Sequence, residues 1–147
     1  ASLNTTGSGC AAAAIWTTAF SPNNSSTVTI GSITSGDWVG AVARYTLPAG
    51  WGDVAAGIYY VALWDSGTLY LMAYDGTAFH TLQSVTTTQP STIELDASGT
   101  SPVNLTVKVN GTTQITYSDS TYEYTGASAG FAIFGHSSST VTGWSGS

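Results

Sequence analysis

The chain predicts an all-β fold, a sandwich or barrel of antiparallel strands, and three observations carry the prediction. Runs rich in β-branched and aromatic residues recur about every ten residues, the spacing of such architectures. Val103–Val109 alternates apolar and polar residues without a break and runs into Asn110-Gly111, a dipeptide suited to a two-residue hairpin turn. No segment makes a convincing helix: Ala11–Ala14 is helix-friendly but too short to nucleate one alone.

Taken in order, the predicted strands are Ala11–Ala19, Ser26–Ile33, Trp38–Thr46, Gly57–Trp64, Thr68–Tyr74, Thr77–Thr86, Ser91–Ala97, Val103–Asn110, Thr112–Asp119, Gly130–Gly135 and Thr140–Trp144. Turn residues such as Ser66-Gly67, Asp75-Gly76 and Asn110-Gly111 separate many of them. In the hairpin around Asn110, the residues Val103, Leu105, Val107, Val109, Ile115 and Tyr117 are expected inside. Asn104, Thr106, Lys108, Thr113 and Thr116 are expected outside.

The hairpin Tyr59–Tyr74 concentrates Tyr59, Tyr60, Trp64, Tyr70 and Tyr74, and alternation forbids all five from one core. Its register depends on the turn. A two-residue Ser66-Gly67 turn sets Leu69 opposite Trp64, whereas a three-residue Asp65-Ser66-Gly67 turn sets Thr68 there. The second is preferred, because it separates an aliphatic face (Tyr59, Val61, Leu63, Leu69, Leu71, Ala73) from an aromatic-rich one (Tyr60, Ala62, Trp64, Tyr70, Met72, Tyr74). A one-residue slip exchanges the roles.

Composition limits the function. Of the 147 residues, 42% are hydrophobic and only 7% charged, and the formal net charge is -6, so solubility rests on neutral Ser, Thr, Asn and Gly. Arg44 and Lys108 are the only Lys or Arg residues, too few for phosphate neutralisation, which excludes nucleic-acid binding and a polybasic membrane patch. Apolar runs such as Ala11–Trp16 are far too short to span a bilayer. The single cysteine, Cys10, cannot form an internal disulfide; a small buried hydrophobe is expected there rather than a bond to a second chain or a lipid carrier. Sequons at Asn4, Asn23, Asn24, Asn104 and Asn110 are common by chance in a Thr-rich chain. The first residue is Ala1 rather than Met, as expected of a processed chain or a piece of a longer one.

The segments TVTIGSITSGDWVGAVARY (Thr27–Tyr45), YYVALWDSGTLYLMAYDGT (Tyr59–Thr77), LTVKVNGTTQITYSDSTY (Leu105–Tyr122) and GFAIFG (Gly130–Gly135), followed by Gly143-Trp144, resemble in their order the laminin-G-like, concanavalin A-like lectin/glucanase domains. The variety they resemble is that of bacterial surface and phage structural proteins. The resemblance implies a jelly-roll β-sandwich of two antiparallel sheets, one concave. It divides the chain into a flexible Gly/Ser/Thr-rich segment, residues 1–11, and a single domain, residues 12–147. Family members often carry a further N-terminal strand, and its loss here would open a sheet edge and favour assembly with neighbours.

The glucanase branch places catalytic carboxylates on one strand as Glu-x-Asp-x-Glu, for acid/base and nucleophile roles. The nearest match is Glu94-Leu95-Asp96-Ala97-Ser98, where Ser98 replaces the third acid, so two solvent-facing acids and no enzyme are expected. His80 and His136 have no evident partners in sequence, and no G-x-S-x-G elbow accompanies them. Asp37, Asp53, Asp65, Asp75 and Asp119 lie in or beside turns, where Asp serves conformation. No cofactor is expected; calcium is the one candidate, with Asp37 and Asp53 as its ligands.

The expected function is a non-catalytic carbohydrate-binding or adhesion module of an extracellular or virion protein. Flat aromatics would hold the apolar faces of a glycan: Trp51, Tyr60, Trp64, Tyr70 and Tyr74. Trp51 either meets the ligand or folds back as a lid, and Trp38 and Trp144 are assigned to the core. The alternative is a virion or surface-layer decoration subunit, whose aromatic face meets copies of itself or other subunits.

Overall fold

The computed structural model describes residues 3–4, 10–16, 18–46, 57–135 and 138–147, with no helix among them. Twelve strands follow in order: β1 (Leu3–Asn4), β2 (Cys10–Ile15), β3 (Asn24–Ser32), β4 (Trp38–Thr46), β5 (Ile58–Asp65), β6 (Thr68–Tyr74), β7 (Phe79–Thr86), β8 (Thr92–Ser98), β9 (Val103–Val109), β10 (Thr112–Asp119), β11 (Ser128–Gly135) and β12 (Thr140–Gly146). They form two antiparallel six-stranded sheets, one ordered β1-β12-β3-β8-β9-β10 and the other β2-β11-β4-β5-β6-β7. All eleven predicted strands are present. The twelfth, Leu3–Asn4, pairs with β12 and lies in the segment expected to be flexible.

Two strand boundaries moved at identifiable side chains. β2 ends at Ile15 rather than Ala19; the next residue, Trp16, still donates its amide to Ala129 O of β11 at 2.9 Å, and its ring stacks on Trp144 of the facing sheet at 5.8 Å. β7 begins at Phe79 rather than Thr77, because Asp75 Oδ1 takes the amides of Thr77 and Ala78, both at 2.8 Å. Those donors are therefore diverted from a strand ladder.

The β9–β10 hairpin has the expected two-residue turn, with Asn110 and Gly111 at φ 50 and 78. Val103, Leu105, Val107, Val109 and Ile115 enter the core between the sheets, with Tyr117 packed against it. Thr113 faces out and Ile115 faces in, two positions along one strand. A bulge between them supplies the change of face.

The central hairpin corrects the preferred register. Trp64 stands opposite Leu69 and Asp65 opposite Thr68, so the turn is the two-residue one. Ser66 and Gly67 take φ 46 and 95, the left-handed pair that matches strand twist. The slip turns β5 over. Tyr60, Ala62 and Trp64 now join Leu69, Leu71 and Ala73 in the inter-sheet core, while Tyr59, Val61 and Leu63 face away from it beside Tyr70, Met72 and Tyr74.

Gly40, on β4, is required by close approach: a Cβ built there would collide with the carbonyl of Ala62 on β5. Gly40→Ala is expected to cost about 3 kcal/mol, since backbone rather than a flexible side chain must yield. Chemical denaturation measures it.

Candidate functional site

The outer face of the β2–β7 sheet is as apolar as a core, although the facing sheet lies on its other side. Val42, Tyr45, Tyr59, Val61, Leu63, Met72 and Ala132 are buried on it, with Trp38, Tyr70, Tyr74 and Phe134 packed around them. β4 supplies Trp38, β6 supplies Tyr70 and Tyr74, β7 supplies Phe79, and β11 supplies Phe134.

Ring contacts define its shape. Trp38 and Tyr70 stack at 5.0 Å and 27° across the intervening β5. Phe79 and Phe134 meet edge-to-face at 5.6 Å, although β7 and β11 are four positions apart in the sheet. In a flat sheet that is about 19 Å, so this sheet curls and the outer face is concave. A line of rings follows one side, with Tyr45–Tyr59 at 5.7 Å, Tyr59–Tyr74 at 5.1 Å and Tyr74–Phe79 at 4.6 Å. Beside the Phe79–Phe134 pair lies a cavity of about 240 Å³ lined by Trp38, Leu63, Met72, Phe79 and Phe134. Pairing puts Ser84 beside Tyr70, Thr81 beside Met72 and Thr86 beside Thr68, so the β6–β7 flank of this face carries neutral hydroxyls.

The sequence-predicted residues divide. Tyr70 and Tyr74 lie on the concave face. Tyr60 and Trp64 do not: the two-residue turn sends them inside, where they are 0% and 7% exposed. Tyr60 Oη donates to Asp119 Oδ2 and accepts from the Tyr124 amide at 3.1 Å. Burial, then the bond to Asp119, drives its hydroxyl pKa well above the ordinary 10.0. Trp64 Nε1 donates to Thr87 O at 3.3 Å; its ring reaches a second cleft of about 300 Å³, at the sandwich end, with Ile33, Thr34, Ser35, Ser66 and Gln89. Trp51, Asp53 and His136 lie outside the described residues. Sequence reasoning missed Phe79 and Phe134 and assigned Trp38 to the core, whereas it packs on the outer face against Tyr70. The signal for Trp38 was present in β4, whose near-continuous apolar run marks a strand covered on both faces.

The acidic candidates are engaged elsewhere. Asp37, 1% exposed, accepts from Ser139 Oγ at 2.7 Å and closes the turn before β4 through its amide to Thr34 O at 3.0 Å. Among the described residues no group of three His, Cys, Asp or Glu side chains could hold a metal. Glu94 and Asp96 share Lys108, at 2.7 and 2.9 Å. These bonds, Glu94 first, raise the Lys108 pKa above its ordinary 10.5, and the fixed cation occupies the space between the two acids. His80 Nε2 meets Asp75 Oδ2 at 2.7 Å, and its ring stacks on Tyr122 at 5.4 Å. The bond to His80, then the amides of Ala78 and Thr77, hold the Asp75 carboxyl well below the usual carboxylate range. With Arg44 buried, at 0% exposure, and Lys108 paired, neither Lys nor Arg side chain is available to an anionic polymer.

No protein-family model and no curated protein matches the sequence. Solved structures do match in shape. The carbohydrate-binding module CBM66 from Bacillus subtilis superposes with a TM-score of 0.60 at 14% identity, over 91% of this chain and 78% of that one. The legume lectin-like domain from Entamoeba histolytica gives 0.61 at 9% identity, over 99% and 82%. CG-16, a homodimeric agglutinin from chicken liver, gives 0.53 at 14% identity, over 92% and 100%. The two antiparallel sheets and these superpositions together identify the fold of this chain as a concanavalin A-like jelly-roll sandwich.

Proposed function

We propose that the chain is a non-catalytic carbohydrate-binding or adhesion module of an extracellular or virion-surface protein, with its site on the concave face. The observation that supports this reading is the Trp38–Tyr70 stack beside the cavity. Flat rings suit the C–H faces of a sugar, and the Thr81, Ser84 and Thr86 flank suits its hydroxyls. A carbohydrate-binding module and an agglutinin stand among the structural neighbours, in agreement with it.

Titration with neutral polysaccharides, followed by intrinsic Trp fluorescence, tests the reading. A saturable change is expected, unaltered by chelator because Asp37 already serves the turn. Tyr70→Ala is expected to weaken binding about 30-fold, or ~2 kcal/mol. A response that persists in Tyr70→Ala but is lost in Gln89→Ala would place the site at the sandwich-end cleft instead; a silent panel would reject the glycan reading.

A second reading, a decoration subunit that assembles with copies of itself, is favoured by one observation. β7 ends its sheet and carries Phe79, 42% exposed. An apolar side chain on an edge strand invites pairing with another chain. Light scattering across concentration separates the readings: a monomer throughout removes self-assembly.

A further inference from the structure

The concave cavity restricts what kind of glycan can occupy it, and the inference that follows rests on the glycan reading above. Its five lining side chains are Trp38, Leu63, Met72, Phe79 and Phe134. Among them the only strong hydrogen-bonding atom is the indole nitrogen of Trp38. Leu63 and Met72, the floor, are 2% and 6% exposed, and Phe79 and Phe134, in edge-to-face contact, line it as well. A sugar hydroxyl placed there would leave water and find almost no partner, a cost that falls on every unsubstituted hexose. A methyl or acetyl methyl would meet carbon on all sides. The hydroxyl-bearing residues Thr81, Ser84 and Thr86 lie on the flank, on β7, where the remaining sugar hydroxyls can be met.

We propose that the ligand is a neutral glycan bearing an apolar substituent, an N-acetyl, O-acetyl or 6-deoxy methyl group, and that this substituent enters the cavity while the pyranose ring lies against Tyr70. Neutrality follows from the lining, which bears no charge, and from a net charge of -6 with both Arg44 and Lys108 already engaged. The Phe79–Phe134 pair then acts as the selective wall. Phe79, at the edge of the sheet, can move aside more readily than the buried floor.

Calorimetric titration of the protein with matched neutral pairs tests this: cellotetraose against tetra-N-acetylchitotetraose, and methyl D-galactoside against methyl D-fucoside. Within at least one pair the substituted sugar is expected to bind about tenfold or more tightly, the scale on which an apolar pocket discriminates one methyl-sized group. Met72→Gln puts an amide in the floor and Phe79→Ser opens the wall at an exposed position, so at least one variant is expected to fold. The preference should fall to about threefold or less in either. Equal or tighter binding of the unsubstituted member in every pair would overturn the inference and leave the glycan reading standing. A preference that survives both substitutions would place the substituent elsewhere and also overturn it. No binding by any sugar would overturn the reading on which it rests.

Discussion

Asp119→Ala is expected to destabilise the protein by about 4 kcal/mol, on the scale of breaking a buried, fully bonded charge. Asp119 is 0% exposed and closes the β10–β11 connection. Its carboxylate accepts from Tyr60 Oη and from the amides of Thr121, Tyr122 and Glu123 at 2.9, 3.2 and 3.0 Å. Alanine would leave a buried phenol and three amides without their acceptor. Burial alone would raise the carboxyl pKa, but the bonds from Tyr60 and the three amides outweigh it, and the result lies below the ordinary 3.8. A carboxylate with a depressed folded pKa contributes fully above the unfolded value. Its contribution is lost as pH falls through the folded one. Wild-type stability should therefore decline below about pH 4, the ordinary Asp range, and Asp119→Asn should flatten that decline. At the alkaline end the raised Tyr60 hydroxyl acts with the opposite sign. Its contribution is complete below the ordinary 10.0 and is lost as pH rises beyond it. Urea denaturation across pH checks both arms; an Asp119→Asn variant with the wild-type acid slope would contradict the assignment.

The strands were legible in the sequence because their signals are local. Asn110-Gly111 has backbone preferences that few other dipeptides satisfy, and Val103–Val109 has one buried face, so register and burial follow together. The Tyr59–Tyr74 hairpin was ambiguous for a physical reason: both faces of β5 are apolar, so hydrophobic pattern cannot choose between registers one residue apart. The choice fell to Ser66, a non-glycine residue in a left-handed conformation with its hydroxyl bonded to Asp65 at 2.7 Å. That decision moved Tyr60 and Trp64 inward and left Tyr70 and Tyr74 on the outer face. Phe79 and Phe134 were out of reach of any pattern argument. They are 55 positions apart in the chain (134 minus 79), and only the curl of the sheet brings them together.

Arg44→Met is expected to cost about 3 kcal/mol, for a reason unlike the one at Asp119. The Arg44 side chain is fully buried, yet the acceptors of its guanidinium are carbonyls: Nη1 donates to Tyr124 O at 2.8 Å and Nη2 to Gly99 O at 2.6 Å. It ties the β8–β9 loop and the β10–β11 loop to the bulged end of β4, where its own backbone stands at φ 55 and its amide donates to Asn24 Oδ1 at 3.1 Å. Nε has no partner among the described residues, and burial, opposed by Tyr60, lowers the guanidinium pKa. Two effects therefore compete on substitution. Methionine removes a desolvated cation, which favours the variant, but strips a donor from a buried carbonyl at Tyr124 and a part-buried one at Gly99, at about 1–3 kcal/mol each. The second wins, because methionine carries no donor that could replace the guanidinium at either carbonyl, although Asn24 still links the β10–β11 loop to this strand end through Gly126 O. Lysine should be no better than methionine. It keeps the buried charge, and a single ammonium lacks the planar fork that spans both acceptors. Guanidinium denaturation of both variants sets the order. Arg44→Lys at wild-type stability would show that charge alone holds the loops, and Arg44→Met within about 0.5 kcal/mol of wild type would show that the two carbonyls are satisfied without it.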